Sequence, residues 1–318
     1  MCSSTELRPG RPDVAFNSES IMMTIFSTPK PFKGHFNIIQ RNAIKSWTLL
    51  HPDVEVILFG EDDGVAEVAS EFCVRHEPKV GRNEYGTPLI SSMFDRAQEV
   101  ARHSIMCYVN CDIILLHDLR EAVSRVAAGR HRFLMVGRRW DTDITDLIDF
   151  LQPDWHEQLR ARALRTNKQR PPSWIDYFAF SRGQYYHKIP PFAVGRPRWD
   201  QWMIWFTYSS GTPIIDASRM VVAVHQNHDY SHHPRGEKGV LEGEEAKRNE
   251  ILLGGSEHFY TVEDATHSLT ARGMEYTFIG WSRFARPLLD LTRPVRRRLG
   301  LRRASLSSAL GKWVGRRV

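Results

Sequence analysis

Through the first 116 residues, short apolar runs alternate with stretches of helical period, and few architectures accommodate that order. Residues 21–27 (IMMTIFS) read as a strand, cut off by Pro29, Pro31 and Gly34. Residues 36–50 place Ile39, Ala43 and Trp47 four apart, one apolar face of a helix. A second strand over 54–59 (VEVILF), a short helix over 65–72 and a weaker strand over 73–76 follow. Thr87 is expected as an N-cap with Pro88 at the first helical position, opening a helix that runs to Arg102. The order βαβαβαβ predicts an α/β fold with a mainly parallel, Rossmann-like sheet flanked by helices. Such sheets bind ligands at the carboxyl ends of their strands. Thr28, Pro29 and Lys30, then Gly60, Glu61 and Asp62, then Asn110 and Asp112 all fall at those ends.

The strand that closes this half, residues 105–116 (IMCYVNCDIILL), is almost wholly apolar, as a strand buried on both faces should be. Asn110 and Asp112 interrupt it two residues apart, a spacing that on a strand points both side chains the same way. An ionised aspartate in such surroundings costs several kcal/mol unless a cation or hydrogen bonds compensate it. The pair reads either as a cap to the next turn or as a metal or phosphate site. The convergence of three polar clusters on one sheet edge favours the second, and a hard divalent cation, Mn²⁺ or Mg²⁺, suits carboxylates working with phosphate oxygens.

The second half is less regular. Asp118 is expected to cap a helix over 118–128, a strand over 132–137 ends in Arg138 and Arg139, and residues 141–166 read as a charged helical insertion. Residues 173–181 (SWIDYFAFS) read as an antiparallel strand. A helix begins near Trp199, a strand over 221–224 leads into His225-Gln226-Asn227-His228, and an amphipathic helix covers 241–253. His225 and His228 are candidate metal ligands beside Asp112, or loop histidines bonded to the backbone. No Cys or Glu pattern completes a zinc site around them. Asp200, between Trp199 and Trp202, is a candidate general base, because a carboxylate kept from solvent has a raised pKa. The two indoles offer faces on which a sugar could stack, or they belong to a core helix. Gly-x-Gly-x-x-Gly after the first strand, Gly-x-x-x-x-Gly-Lys-Ser/Thr and Gly-x-Ser-x-Gly are all absent, which removes dinucleotide-binding, P-loop and serine-hydrolase chemistry.

Net charge is +6 over 318 residues, but eleven Arg or Lys against Asp290 alone place +10 in residues 283–318, leaving −4 for the rest. The basic balance is therefore no argument for nucleic-acid binding by the core. Phe284, Leu288, Leu291, Val295 and Leu299 recur in that tail at helical spacing among arginines, a pattern suited to an anionic membrane surface. Residues 1–20 read as a disordered leader without a signal peptide. The four cysteines form no Cys-x-x-Cys pair, which fits a reducing cytoplasm.

Taken together, these stretches resemble GT-A-fold, nucleotide-sugar-dependent glycosyltransferases of the Asp-x-Asp, family 2-like kind. The similarity lies in Ile25 to Phe32, Gln40 to Trp47, Tyr108 to Ile113, Gly195-Arg196 with Trp199-Asp200-Gln201-Trp202, and His225 to Tyr230. It implies a GT-A-like domain over 21–280, with a nucleotide-sugar half at 21–116 and an acceptor half at 117–280, between the leader and a basic amphipathic tail at 281–318. It also implies a UDP- or GDP-sugar donor, a glycan or lipid-linked acceptor, and Mn²⁺ or Mg²⁺ on the diphosphate. By position, Asp112 is the second acid of the motif and Asn110 replaces the first, so the metal would rest on Asp112 and His225 or His228, with Asn110 beside them. Thr28, Pro29, Lys30, Gly60 and Glu61 fall at the donor, Arg196, Trp199 and Trp202 at the acceptor, and Asp200 at the base of an inverting enzyme. A catalytically silent sugar- or nucleotide-binding subunit and a sugar-phosphate nucleotidyltransferase are the alternative readings.

Overall fold

Alternation along the central strands decides how the chain is layered. In the computed structural model, which describes residues 22–229 and 235–277, β1 (Met23–Ser27) and β4 (Ile105–Val109) are buried along their whole length. Met23, Ile25, Cys107 and Val109 face one apolar cluster, while Phe26, Met106 and Tyr108 face another. The first cluster is closed by α1 (Gly34–Thr48), α2 (Val65–Glu71) and α4 (His117–Gly129). The second is closed by α3 (Ile90–Val100) and α6 (Trp199–Ser209). A sheet strand apolar on both faces is stable only when both faces are covered, and the helices provide that cover.

Between these helices, β2 (Glu55–Phe59) and β3 (Arg75–Glu77) extend the sheet from β1, all parallel to it, as β4 is on β1's other side. The second half continues the same sheet with a change of direction. β7 (Ile175–Ser181) runs antiparallel to both β4 and β6 (Leu134–Thr142). Beyond β6 lie β8 (Ile214–Asp216), β10 (His267–Thr270) and β11 (Gly273–Tyr276), so the order across the sheet is β11-β10-β8-β6-β7-β4-β1-β2-β3. Six of its pairings are parallel and four antiparallel, once β5 (Ile113–Ile114) and β9 (Ala223–Gln226) are included. The mainly parallel α/β sheet expected from the sequence is present. α5 (Trp155–Thr166), α7 (Gly236–Glu242) and α8 (Glu244–Leu253) complete the described elements. None of the described helices is long and apolar enough to cross a membrane.

β6 serves three partners because its register shifts part-way along. Its first part pairs with β7 and β8, and its second part, Arg139 to Thr142, pairs with β9. The register shifts between Val136 and Arg138, and a Cβ on Gly137 would lie 2.1 Å from the Tyr177 hydroxyl. Glycine therefore allows the close approach from which the strand turns toward the site.

Several boundaries differ from expectation. The helix expected to start at Thr87 and Pro88 begins at Ile90, because Arg82 and Pro88, and Leu89 and Ala193, are held in β-bridges. Asp118 does not cap α4, which opens at His117. Its carboxylate instead accepts from Val222 N at 3.1 Å and from Arg160, joining three segments. The insertion over 141–166 is helical only from Trp155, since β6 continues to Thr142. The leader and the basic tail lie outside the described residues.

Candidate active site

The run 105–116 is not one strand. β4 stops at Val109, the chain turns through Asn110-Cys111-Asp112, and β5 leaves to pair with β9. Ile113 N donates to Asn110 O at 3.1 Å to close the turn, and the Trp47 indole, fully buried, donates to Ile113 O at 2.9 Å. The shared direction expected of Asn110 and Asp112 on a strand is thereby lost. Asn110 Nδ2 donates to Asp176 Oδ1 at 2.6 Å, and its Oδ1 accepts from the Tyr108 hydroxyl at 2.8 Å. The Asn110 side chain is committed to the framework, which corrects its expected place among the metal ligands.

Asp112 points to the histidines. β9 is held between β5 and β6 so that His225 faces Ile113 on one side and Asp141 on the other. Gln226 N donates to Asp112 O at 3.1 Å, and its side chain donates to Ile39 O at 2.7 Å while accepting from Asn42 at 3.0 Å. These bonds fix the strand end against α1. Asp112 Oδ2 then lies 3.1 Å from His228 Nε2 and 3.7 Å from His225 Nε2. Asp141 Oδ1 stands 3.3 Å behind His225 Nδ1 and is itself paired with Arg139 at 3.1 Å and Arg170 at 2.6 Å. The contact lacks hydrogen-bond geometry, but a carboxylate at this position is one that orients a ligating histidine when it closes on the ring.

The donor set fits a divalent cation. One ligand atom each from Asp112, His225 and His228 lies within 4.8 Å of the others, and Asp112 Oδ1 is buried without a hydrogen-bond partner. A buried orphaned carboxylate oxygen is costly unless a cation takes it up. Burial by itself would raise the Asp112 carboxyl, but the facing His225, the hydrogen bond from His228 and the Arg139 guanidinium hold it well below the usual carboxylate range. Two imidazoles with one carboxylate suit Mn²⁺ better than the strictly oxygen-seeking Mg²⁺.

Two cavities meet at this turn. The smaller, about 310 Å³, is lined by Thr28, Pro29, Gln40, Asp62, Arg82 and Tyr108 among others. The larger, about 890 Å³, is lined by Arg139, Trp174, Asp176, Trp199, Asp200 and His225 among others. Lys30, Asn110, Asp112, Gly195 and Arg196 line both. Thr28, Pro29 and Lys30 are thus where a ligand at the strand ends would lie. Gly60 is buried behind them, taking the left-handed φ of +103°, and its carbonyl accepts from His76 Nε2 at 2.7 Å. Glu61 is exposed and lines neither cavity. Its neighbour Asp62 does so, paired with Arg82 at 2.7 Å.

Asp200 enters the larger cavity from the first turn of α6, which Arg198 opens at a left-handed φ of +94°. Its Oδ2 accepts from Gln201 Nε2 at 2.7 Å, while Oδ1 is buried without a partner. Burial, with the nearby negative charge of Asp176 adding to it, pushes the Asp200 carboxyl up to about 7. A carboxyl poised near neutrality can accept a proton, and its open oxygen gives that proton a place to go.

The expected acceptor residues divide. Trp199 lines the larger cavity and packs edge-on to Tyr108 at 5.2 Å. Both indoles are buried, but Trp202 stacks on Phe206 at 5.0 Å and, unlike Trp199, lines neither cavity, so it belongs to the core. Arg196 is braced by Glu245 of α8, at 3.0 and 2.6 Å. Trp174, half-buried with the guanidinium carbons of Arg139 and Arg170 at 4.8 and 4.5 Å from its ring, is an aromatic wall that the sequence reading passed over. Asp141 and Asp176 were also missed. For Asp176 a signal existed, since an acid inside the apolar run 173–181 is the same anomaly that drew attention to Asp112.

No family model and no curated protein matches the sequence. Among solved structures, the glucosyl-3-phosphoglycerate synthase of Mycobacterium tuberculosis, in complex with Mn²⁺, UDP-glucose and phosphoglyceric acid, is 16% identical over 78% of this chain and 85% of that chain, at a TM-score of 0.44. The same enzyme with Mg²⁺ and UDP gives 14% identity over 70% of this chain and 78% of that chain, at a TM-score of 0.40.

Proposed function

We propose that the chain is a nucleotide-sugar-dependent glycosyltransferase of the hexosyltransferase type, moving a sugar from a UDP- or GDP-linked donor to a hydroxyl of a glycan or lipid-linked acceptor. One observation carries this reading. A carboxyl with a pKa of about 7, Asp200, lines a large cavity that joins a smaller one at an Asp112, His225 and His228 cluster. The smaller cavity takes the nucleotide, with Thr28 and Pro29 on its wall, and the larger takes the acceptor against Trp199, Trp174 and Arg196. Asp112, His225 and His228 would hold Mn²⁺ or Mg²⁺, which when bound neutralises charge on the nucleoside diphosphate. Asp200 accepts the acceptor hydroxyl's proton as that oxygen attacks the anomeric carbon. A single base on the acceptor side supports inversion.

The proposed division into a nucleotide half over 21–116 and an acceptor half over 117–280 is supported by the first-half residues that line most of the smaller cavity, although Lys30, Asn110, Asp112, Gly195 and Arg196 line both. A role in building cell-surface polysaccharide from the cytoplasmic side, with residues 281–318 on an anionic membrane, rests on the sequence pattern of that tail. Calorimetric titration of UDP and GDP, with and without Mn²⁺, tests the reading. Metal-enhanced binding of one nucleotide, with the enhancement lost in Asp112→Ala, is the expected result. Binding without turnover of any nucleotide sugar would favour a silent binding subunit, and no binding of either nucleotide would refute the proposal.

A further inference from the structure

The lysine at the seam of the two cavities is placed more tightly than an exposed loop lysine would be. Lys30 N donates to Gln40 Oε1 at 2.6 Å, and Gln40 Nε2 donates to Lys30 O at 2.9 Å, so α1 grips the residue's backbone from both sides. Its ammonium lies 4.4 Å from the centroid of the Phe36 ring. No carboxylate among the described residues comes within ion-pairing distance of it. Asp112, Asp229, Arg196 and Cys111 face it from further off. Burial lowers its pKa and Asp112 opposes that effect. Lys30 is half-buried, and a cation partly withdrawn from water, unpaired but held in place, is a prepared site for an incoming anion. The Asn110 beside it supplies no negative charge to compete.

We propose that Lys30 is a catalytic residue whose ammonium binds the donor's diphosphate and neutralises it as it departs, without requiring the divalent cation. This rests on the glycosyltransferase reading above. The bond between the anomeric carbon and the diphosphate oxygen breaks, its electron pair going to that oxygen. The acceptor oxygen forms the new bond to the same carbon, and its proton goes to Asp200. Lys30 donates N–H hydrogen bonds to the diphosphate oxygens throughout and keeps its proton.

The test titrates UDP, GDP, uridine and guanosine in EDTA into the wild-type protein, Lys30→Met and Lys30→Gln. A lost charge-assisted contact predicts diphosphate affinity lower by roughly 10- to 100-fold in both variants, with nucleoside affinity unchanged. Lys30→Met removes an unpaired, half-buried charge, so its melting temperature should not fall. If it does, Lys30→Gln carries the comparison. Diphosphate binding in EDTA that is equal in the variants and the wild type overturns the inference. So does a wild-type protein that binds a diphosphate only with Mn²⁺, and in both cases the glycosyltransferase reading survives. Failure of the wild type to bind either diphosphate under any condition overturns both.

Discussion

Asp200→Asn should make the protein more stable and less active, and the stability gain should depend on pH. The folded protein holds the Asp200 carboxyl near 7 against an ordinary value of 3.8. Between those values the folded chain keeps a proton that the unfolded chain has released, so wild-type stability falls as pH rises through this window. The loss is complete above it. A difference of about 3 pKa units at 1.36 kcal/mol each sets the ceiling near 4 kcal/mol. Asparagine carries no charge at any pH and keeps an oxygen to accept from Gln201. The variant's advantage should therefore be near zero at pH 4 and grow to a few kcal/mol at pH 8. Urea denaturation of both proteins at several pH values measures it, and the pH dependence separates the charge from any change in packing. In turnover assays the same substitution should cost ~10²–10⁴-fold in rate, the usual worth of a positioned base. Wild-type rate should rise with pH through about 7 as Asp200 becomes able to accept a proton. A stability difference that is flat from pH 4 to 8 would refute the buried-carboxyl argument, and unchanged turnover would remove Asp200 as the base.

Two tryptophans, Trp202 on α6 and Trp174 on the cavity wall, should behave oppositely. Trp202→Ala, which empties a core position beside Phe206 and Phe192, should destabilise by about 3–5 kcal/mol in chemical denaturation. Trp174→Ala, at a half-buried cavity wall, should instead raise the KM for acceptor with a smaller loss of stability. Deleting residues 283–318 should abolish sedimentation with anionic vesicles while leaving neutral vesicles unbound in both proteins, and undiminished binding would place the membrane surface elsewhere.

The layering is legible from local pattern alone. Apolar runs of strand length separated by amphipathic helices leave a covered, mainly parallel sheet as the economical way to bury both faces, and that periodicity is a local property. It also located Asp112, Asp200 and the late histidines, because an acid in an apolar context and an imidazole at a strand end are visible one residue at a time. Which of these groups meet depends on long-range strand pairing. Asp112 reaches His225 and His228 because β9 is clamped between β5 and the bent end of β6, pairings that join residues more than 80 positions apart. Asn110 was read as a ligand and proved to be a strut, because its partner Asp176 arrives on a strand 66 residues later. Between a sugar platform and a core helix, the two readings the sequence leaves open for Trp202, packing against the aromatic cluster supports the core. The electrostatics followed the same division. Asp112 and Asp200 are the same residue type in similar local surroundings, yet the carboxyl of one is held down by facing positive charge and that of the other is raised by burial. Partners distant in sequence set that difference, and no local pattern encodes it.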